Sequence, residues 1–137
     1  MKFGLEFVGP KTLMSRDQFS FIRTINELGE LIDAIDEKNV GYLLDTFHLY
    51  CANHSVDDLK FLNKDDIIMC QINDAVIGRS RDEQIDLERD LPGKSGIIDT
   101  SPFLNFLNNI GYEGTVAAEP FNKELNMDDL PTLGRPT

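Results

Sequence analysis

The stretch Val40-Gly41-Tyr42-Leu43-Leu44-Asp45-Thr46-Phe47-His48 decides how this chain folds. Its first five residues form a near-continuous apolar run with no polar alternation. A strand with one face in water alternates. A strand apolar throughout is covered on both faces, as in a parallel sheet flanked by helices. Residues 67–72 repeat the pattern, a second apolar run broken only by Gln71.

Outward from these two strands the same cycle continues. Residues 3–8 form a short apolar run interrupted by Glu6 and closed by Gly9-Pro10. Over residues 15–38, Phe19, Ile22, Ile25, Leu28, Leu31, Ile32 and Ile35 recur at helical spacing, which predicts one amphipathic helix ended by Asn39. Ser55-Val56-Asp57-Asp58 reads as a capped helix start with an acidic first turn. Ser101-Pro102 opens a further helix with Phe103, Phe106, Leu107 and Ile110 on its apolar face and Gly111 as its stop. Residues 115–118 make the last strand. Residues 79–94 are a long polar loop, and residues 124–137 read as an irregular tail. The order is β-α-β-α-β-α-β, and the pattern fits either half of a β/α barrel or a small open sheet.

The 137 residues suit one compact unit but fall short of a complete eight-stranded barrel, which takes about 250. The formal charge of −11 opposes phosphate backbones and argues against nucleic acid as a partner. No apolar run approaches the roughly 20 residues that span a bilayer, so no membrane is expected. The N-terminus, which carries Glu6, has no signal-peptide core. Cys51 and Cys70 stand in no metal-type spacing and are expected as reduced, buried thiols of a cytoplasmic protein.

Each of the four strands carries a polar residue at its C-terminal side: Glu6, Asp45, Gln71 and Glu119. Ligands of parallel α/β sheets bind at that edge. Three carboxylates brought together repel one another, and a divalent cation relieves the conflict. Oxygen donors suit Mg²⁺, Mn²⁺ or Co²⁺. Taken singly, Asp45 before Thr46 also fits a turn start, and Glu119 before Pro120 a loop acid.

The segments GLEFVGPKTL (4–13), LLDTFHLY (43–50), QINDA (71–75), RDLPGKSGIID (89–99) and GYEGTVAAEPF (111–121) together resemble successive signatures of the xylose isomerase-like barrel superfamily. The superfamily includes sugar epimerases, hydroxypyruvate isomerases and inosose dehydratases. The resemblance implies an α/β fold, a partial (β/α)8 TIM barrel of about four units corresponding to strands five to eight. Residues 1–123 would form this C-terminal half, with 124–137 as tail.

It further implies a metal-dependent isomerase or epimerase of a sugar, sugar phosphate or polyol, working through an enediolate; a dehydratase would use the same site. Glu6, Asp45 and Glu119 match carboxylate metal ligands, and Gln71 matches a position often held by histidine. Glu6 and Glu119 match the proton-transferring pair. His48 matches a substrate or metal contact, and Asp74 and Arg89 match substrate contacts, with Arg79 and Arg81 in the same loop as further candidates. The loop at Pro92-Gly93-Lys94-Ser95-Gly96 carries one residue more than the family's form. His54 matches no motif and is expected in solvent. An endonuclease of the superfamily would need many histidines, and this chain has two.

The superfamily's first four strands have no counterpart here. The chain is therefore expected to be a fragment, to pair with a separate first half, or to self-associate through its open edges. A non-catalytic remnant is the competing expectation.

Overall fold

A computed structural model describes residues 1–13 and 21–122. The four strands are β1 (Phe3–Leu5), β2 (Val40–Asp45), β3 (Ile67–Gln71) and β4 (Val116–Ala117). They lie parallel in the order β1-β2-β3-β4. Each new strand is laid beside the one before it, always in the same direction. A doubly wound sheet reverses that progression at a switch point, whereas a β/α barrel does not. The order therefore chooses the barrel-type alternative that the apolar pattern left open. Register sets the ends level: Asp45 pairs with Gln71, and Gln71 with Ala117.

Among the described residues three α-helices pack on this sheet: α1 (Ile25–Ile35), α2 (Thr46–Cys51) and α3 (Ser101–Asn109). Phe7, Leu28, Tyr42, Leu44, Leu59 and Phe106 meet in the main buried cluster. Ile25 and Leu28 place the inner stripe of α1 there, and Phe103, Phe106 and Leu107 that of α3. Pro102 sits in the first turn of α3, and Gly111 follows its end at φ 75°, a conformation glycine adopts without steric cost. Both cysteines are free and buried, and burial pushes each thiol up to about 12. No helix among the described residues is long and apolar enough to cross a membrane.

Four details correct the sequence reading. The first helix does not begin at residue 15; among the described residues it starts at Ile25, because the Thr24 side chain accepts from Glu27 N–H and caps it. Ile22 lies before the cap, where its carbonyl accepts from Val8 N–H as extended chain would. Phe19 and the tail from 124 onward lie outside the described residues. The helix ends at Ile35 rather than Asn39, with Asp36 left-handed at φ 51° and its N–H bonded to Ile32 O.

The second correction is α2, which follows β2 without a linker, so Ser55 caps only a 3-10 turn, Val56–Leu59. Third, β1 and β4 are shorter than the apolar runs that announced them. Fourth, His54 is not solvated: its Nε2 accepts from Ile25 N–H at the start of α1, and its ring stands edge-on to Phe7.

Candidate active site

Because the strands are parallel, all four of their C-terminal ends fall on one edge. Asp45, the last residue of β2, is 1% exposed there. Its Oδ1 accepts from Phe47 N–H at 2.8 Å, which caps α2. Asn73 Nδ2 lies 3.1 Å from both of its oxygens, and Arg89 Nη1 donates to Oδ2 at 2.7 Å. Burial pushes this carboxyl up, and Arg89, Phe47 N–H and Asn73 pull it back. Asn73 Oδ1 in turn accepts from Glu119 N–H at 2.8 Å, so one buried amide ties the end of β2 to the residue beyond β4.

Glu6 follows β1. Burial first, and the Asp45 charge second, raise its carboxyl from 4.5 to about 8, with Arg89 opposing. Its Oε1 is buried without a hydrogen-bond partner, and so is Gln71 Oε1. Gln71 is the register partner of Asp45, so the two side chains leave the sheet on the same face.

His48 lies on α2, 1% exposed. The peptide N–H of Gly9 donates to its Nδ1 at 3.2 Å. A Cβ on Gly9 would stand 2.4 Å from His48 O, so only glycine permits this approach. His48 Nε2 lies 3.5 Å from Glu6 Oε1 and 3.4 Å from Asp86 Oδ1. Burial and then Arg89 lower its value to about 4, so the ring is neutral at physiological pH. Among the described residues, Glu6, Asp45 and His48 bring ligand-type atoms within 4.8 Å of one another.

Arg89 comes from the long loop but is only 3% exposed. Its guanidinium carbon lies over the Phe47 ring at 4.9 Å and over the Phe121 ring at 5.0 Å. Nε donates to Asp86 O and Nη2 to Asp86 Oδ1, while Nη1 stands 3.7 Å from Glu119 Oε2. A cavity of about 380 Å³ opens beside it, lined in part by Ile77, Asp90 and Phe121.

The structure thus brings together Glu6, Asp45, His48, Arg89 and Glu119, with Gln71 next to Asp45 in register. Asp74 stands apart. It is fully buried, and its oxygens accept from the N–H groups of Ala75, Ser95, Gly96 and Ile98. Burial alone would raise its carboxyl; those donors outweigh it and hold it below the usual range. The side chain is spent on shaping the Pro92–Gly96 loop. Arg79 pairs with Glu88, and Arg81 lies over the Tyr50 ring. Asn73 and Asp86 were not singled out from sequence. An asparagine two residues past the end of a buried strand is a weak signal for Asn73, and nothing local announced Asp86.

The xylose isomerase-like TIM barrel family matches residues 4–135. The chain belongs to that family. Inosose isomerase of Bacillus licheniformis is 30% identical over 127 residues, covering 90% of this chain and 41% of that protein. A xylose isomerase domain protein from Alicyclobacillus acidocaldarius is 36% identical with a TM-score of 0.80, over 90% of this chain and 43% of that one. The IOLI protein with a bound zinc atom is 28% identical with a TM-score of 0.75, over 90% and 41%. The chain thus spans about 41% of the curated relatives it matches, and its strands form part of the barrel.

Proposed function

We propose that this strand edge is one wall of an active site that isomerises or epimerises a sugar or polyol by moving a proton beside a carbonyl. Glu6, Asp45, Gln71 and Glu119 would hold a divalent cation there. The observation that carries the reading is the pair of buried, unpartnered oxygens, Glu6 Oε1 and Gln71 Oε1, beside buried Asp45. Each such orphan costs roughly 1–3 kcal/mol, and a cation removes the deficit for both. The donor set fits Mn²⁺, Mg²⁺ or Co²⁺. Asp45 would hold an ion only in balance with Arg89, whose Nη1 donates to its Oδ2.

When bound, the ion supplies positive charge to a substrate oxygen that becomes negative as the neighbouring carbon loses its proton. Glu6 and Glu119 are the pair that takes and returns that proton. Their shared neighbour Arg89 supports the pairing, since its charge acts on Glu6 and its Nη1 stands 3.7 Å from Glu119 Oε2. Arg89 and His48 orient substrate oxygens. Each is buried and held by Asp86 or Gly9, which fixes the direction in which it donates. Asp74 acts through the loop it shapes.

The Bacillus inosose isomerases make a polyol ketone the first substrate to test. The chain with Mn²⁺ is incubated in D₂O with an inosose and, separately, with ketohexoses, and followed by NMR. The reading predicts deuterium at the carbon beside the carbonyl, lost in Glu119→Gln. Loss of a hydroxyl in the same spectra would mark a lyase on this site. No exchange into any of these substrates by a metal-loaded chain would reject the reading.

A further inference from the structure

Among the described residues, β1 and β4 each have one side without a neighbouring strand. Backbone groups alternate sides along a strand, so the bonds already made show which residues face outward. Phe3 N–H donates to Asn39 O, so Phe3 faces β2, and Lys2 and Gly4 face the free side of β1. Cys70 N–H donates to Thr115 O and Ile72 N–H to Ala117 O, so Thr115 and Ala117 face β3. Val116, between them, faces the free side of β4. In a parallel pair, a residue facing its partner strand bonds to the residues flanking the one opposite, as Cys70 N–H does to Thr115 O opposite Val116. Val116 therefore fits opposite a Phe3, its N–H directed at a Lys2 carbonyl and its carbonyl at a Gly4 N–H.

The stagger of the sheet leads to the same pair. Phe3 stands opposite Val40. Val116 stands opposite Cys70 and, through it, Leu44, four residues further along β2. The extra residue of the β2–β3 bulge lies in β3 and does not enter this count. An eight-stranded β/α barrel closes when the path around it has advanced about eight residues in all. Two four-stranded bodies of this stagger, joined Val116 to Phe3 at both seams, complete that advance. Any other pairing with the same groups facing each other moves each seam by two residues and misses it.

This chain is itself such a body, with the matching edge at either end. Phe3 and Val116 are apolar and exposed, at 51% and 39%, and as opposed residues they would shield one another. Exposed Lys2 precedes β1 and exposed Glu113 precedes β4, so a cation meets a carboxylate where each seam begins.

We propose that two copies of this chain close head to tail into one eight-stranded barrel, Val116 of each lying opposite Phe3 of the other. Head-to-tail contacts end in a ring when the rotation closes, and the stagger closes it at two copies. The second copy then supplies, from its own strand ends, the wall opposite the one described above. The inference stands on register and needs neither the metal nor the reaction.

Sedimentation equilibrium of the full chain tests it, in moderate salt to screen the charge of −11 on each copy. Expected is association that rises with concentration and stops at two copies. Val116→Pro removes an outward N–H at a sheet edge, where proline is tolerated. It should weaken dimerisation about tenfold or more and leave the circular dichroism of the monomer unchanged. A chain carrying both Phe3→Cys and Val116→Cys should oxidise to a covalent dimer, since opposed Cα atoms of neighbouring strands lie roughly 5 Å apart. Either cysteine alone should give none, and the buried Cys51 and Cys70 take no part.

A monomer at every concentration would overturn the proposal, as would a mass that grows past two copies. So would a dimer that Val116→Pro leaves intact, or a single cysteine that cross-links as well as the pair. Association only with an added polypeptide matching the first half of a relative would assign both edges to that polypeptide, against the proposal. If Val116→Pro does not fold, the native mass and the cysteine pair decide.

Discussion

Glu6 sits where burial and charge pull the same way. With Asp45 beside it and only Arg89 in opposition, its carboxyl is raised to about 8, so without a cation it holds a proton at neutral pH. The folded chain binds that proton more tightly than the unfolded one. The stabilisation is therefore complete below the ordinary 4.5 and is lost as pH rises through about 8. His48 is lowered from 6.5 and titrates below this window, so it leaves the upper range clear. Melts of the EDTA-treated chain should fall in midpoint from pH 6.5 upward through 8, and Glu6→Gln should flatten that fall. An equal fall in the variant would show that another group sets it. At this scale the sequence was a fair guide wherever a side chain ended an apolar run, as Glu6, Asp45 and Gln71 do. It failed where a role depends on a distant partner. Asn73 reaches Asp45 from 28 residues away, and Asp86 matters only because Arg89 and His48 both point at it.

Helix starts show how one side chain can override a periodic pattern. Phe19 and Ile22 continue the spacing of α1 toward the N-terminus, yet Thr24 caps the helix at Ile25. Thr24-x-x-Glu27 has the form of a capping box, a shorter signal than the apolar period that runs past it. Thr24→Ala should lower stability by about 1 kcal/mol in a urea melt, while Thr24→Ser should keep most of it. Equal losses in both would mean that the cap is idle and that His54, which accepts from Ile25 N–H, carries this helix start. The same lesson holds for α2. Asp45 was weighed as either a turn residue or a member of a site; its Oδ1 caps the helix while its Oδ2 faces Arg89, so starting a turn leaves the carboxylate's second oxygen available to the proposed site.

Across the whole molecule, sequential parallel order is what brings four separate strand ends to one edge. Apolar runs announced the strands but not their neighbours, since order is a property of how crossovers wind and not of any one segment. Among the described residues, β1 and β4 each pair on one side only, and Phe3 and Val116 on those edges are exposed. The relatives' remaining length, more than half of each protein, corresponds to nothing in this chain. The central claim is that the half barrel at hand already assembles a cation site from its own strand ends. The most direct check is a thermal melt of the full chain in EDTA and then with excess Mn²⁺, beside Glu119→Gln. A ligand bound only by the folded state, at about a hundred times its Kd, adds roughly 2.7 kcal/mol. The account predicts a clear rise in midpoint for the native chain and a much smaller one for the variant. A flat response in the native chain, or an equal rise in both, would contradict it.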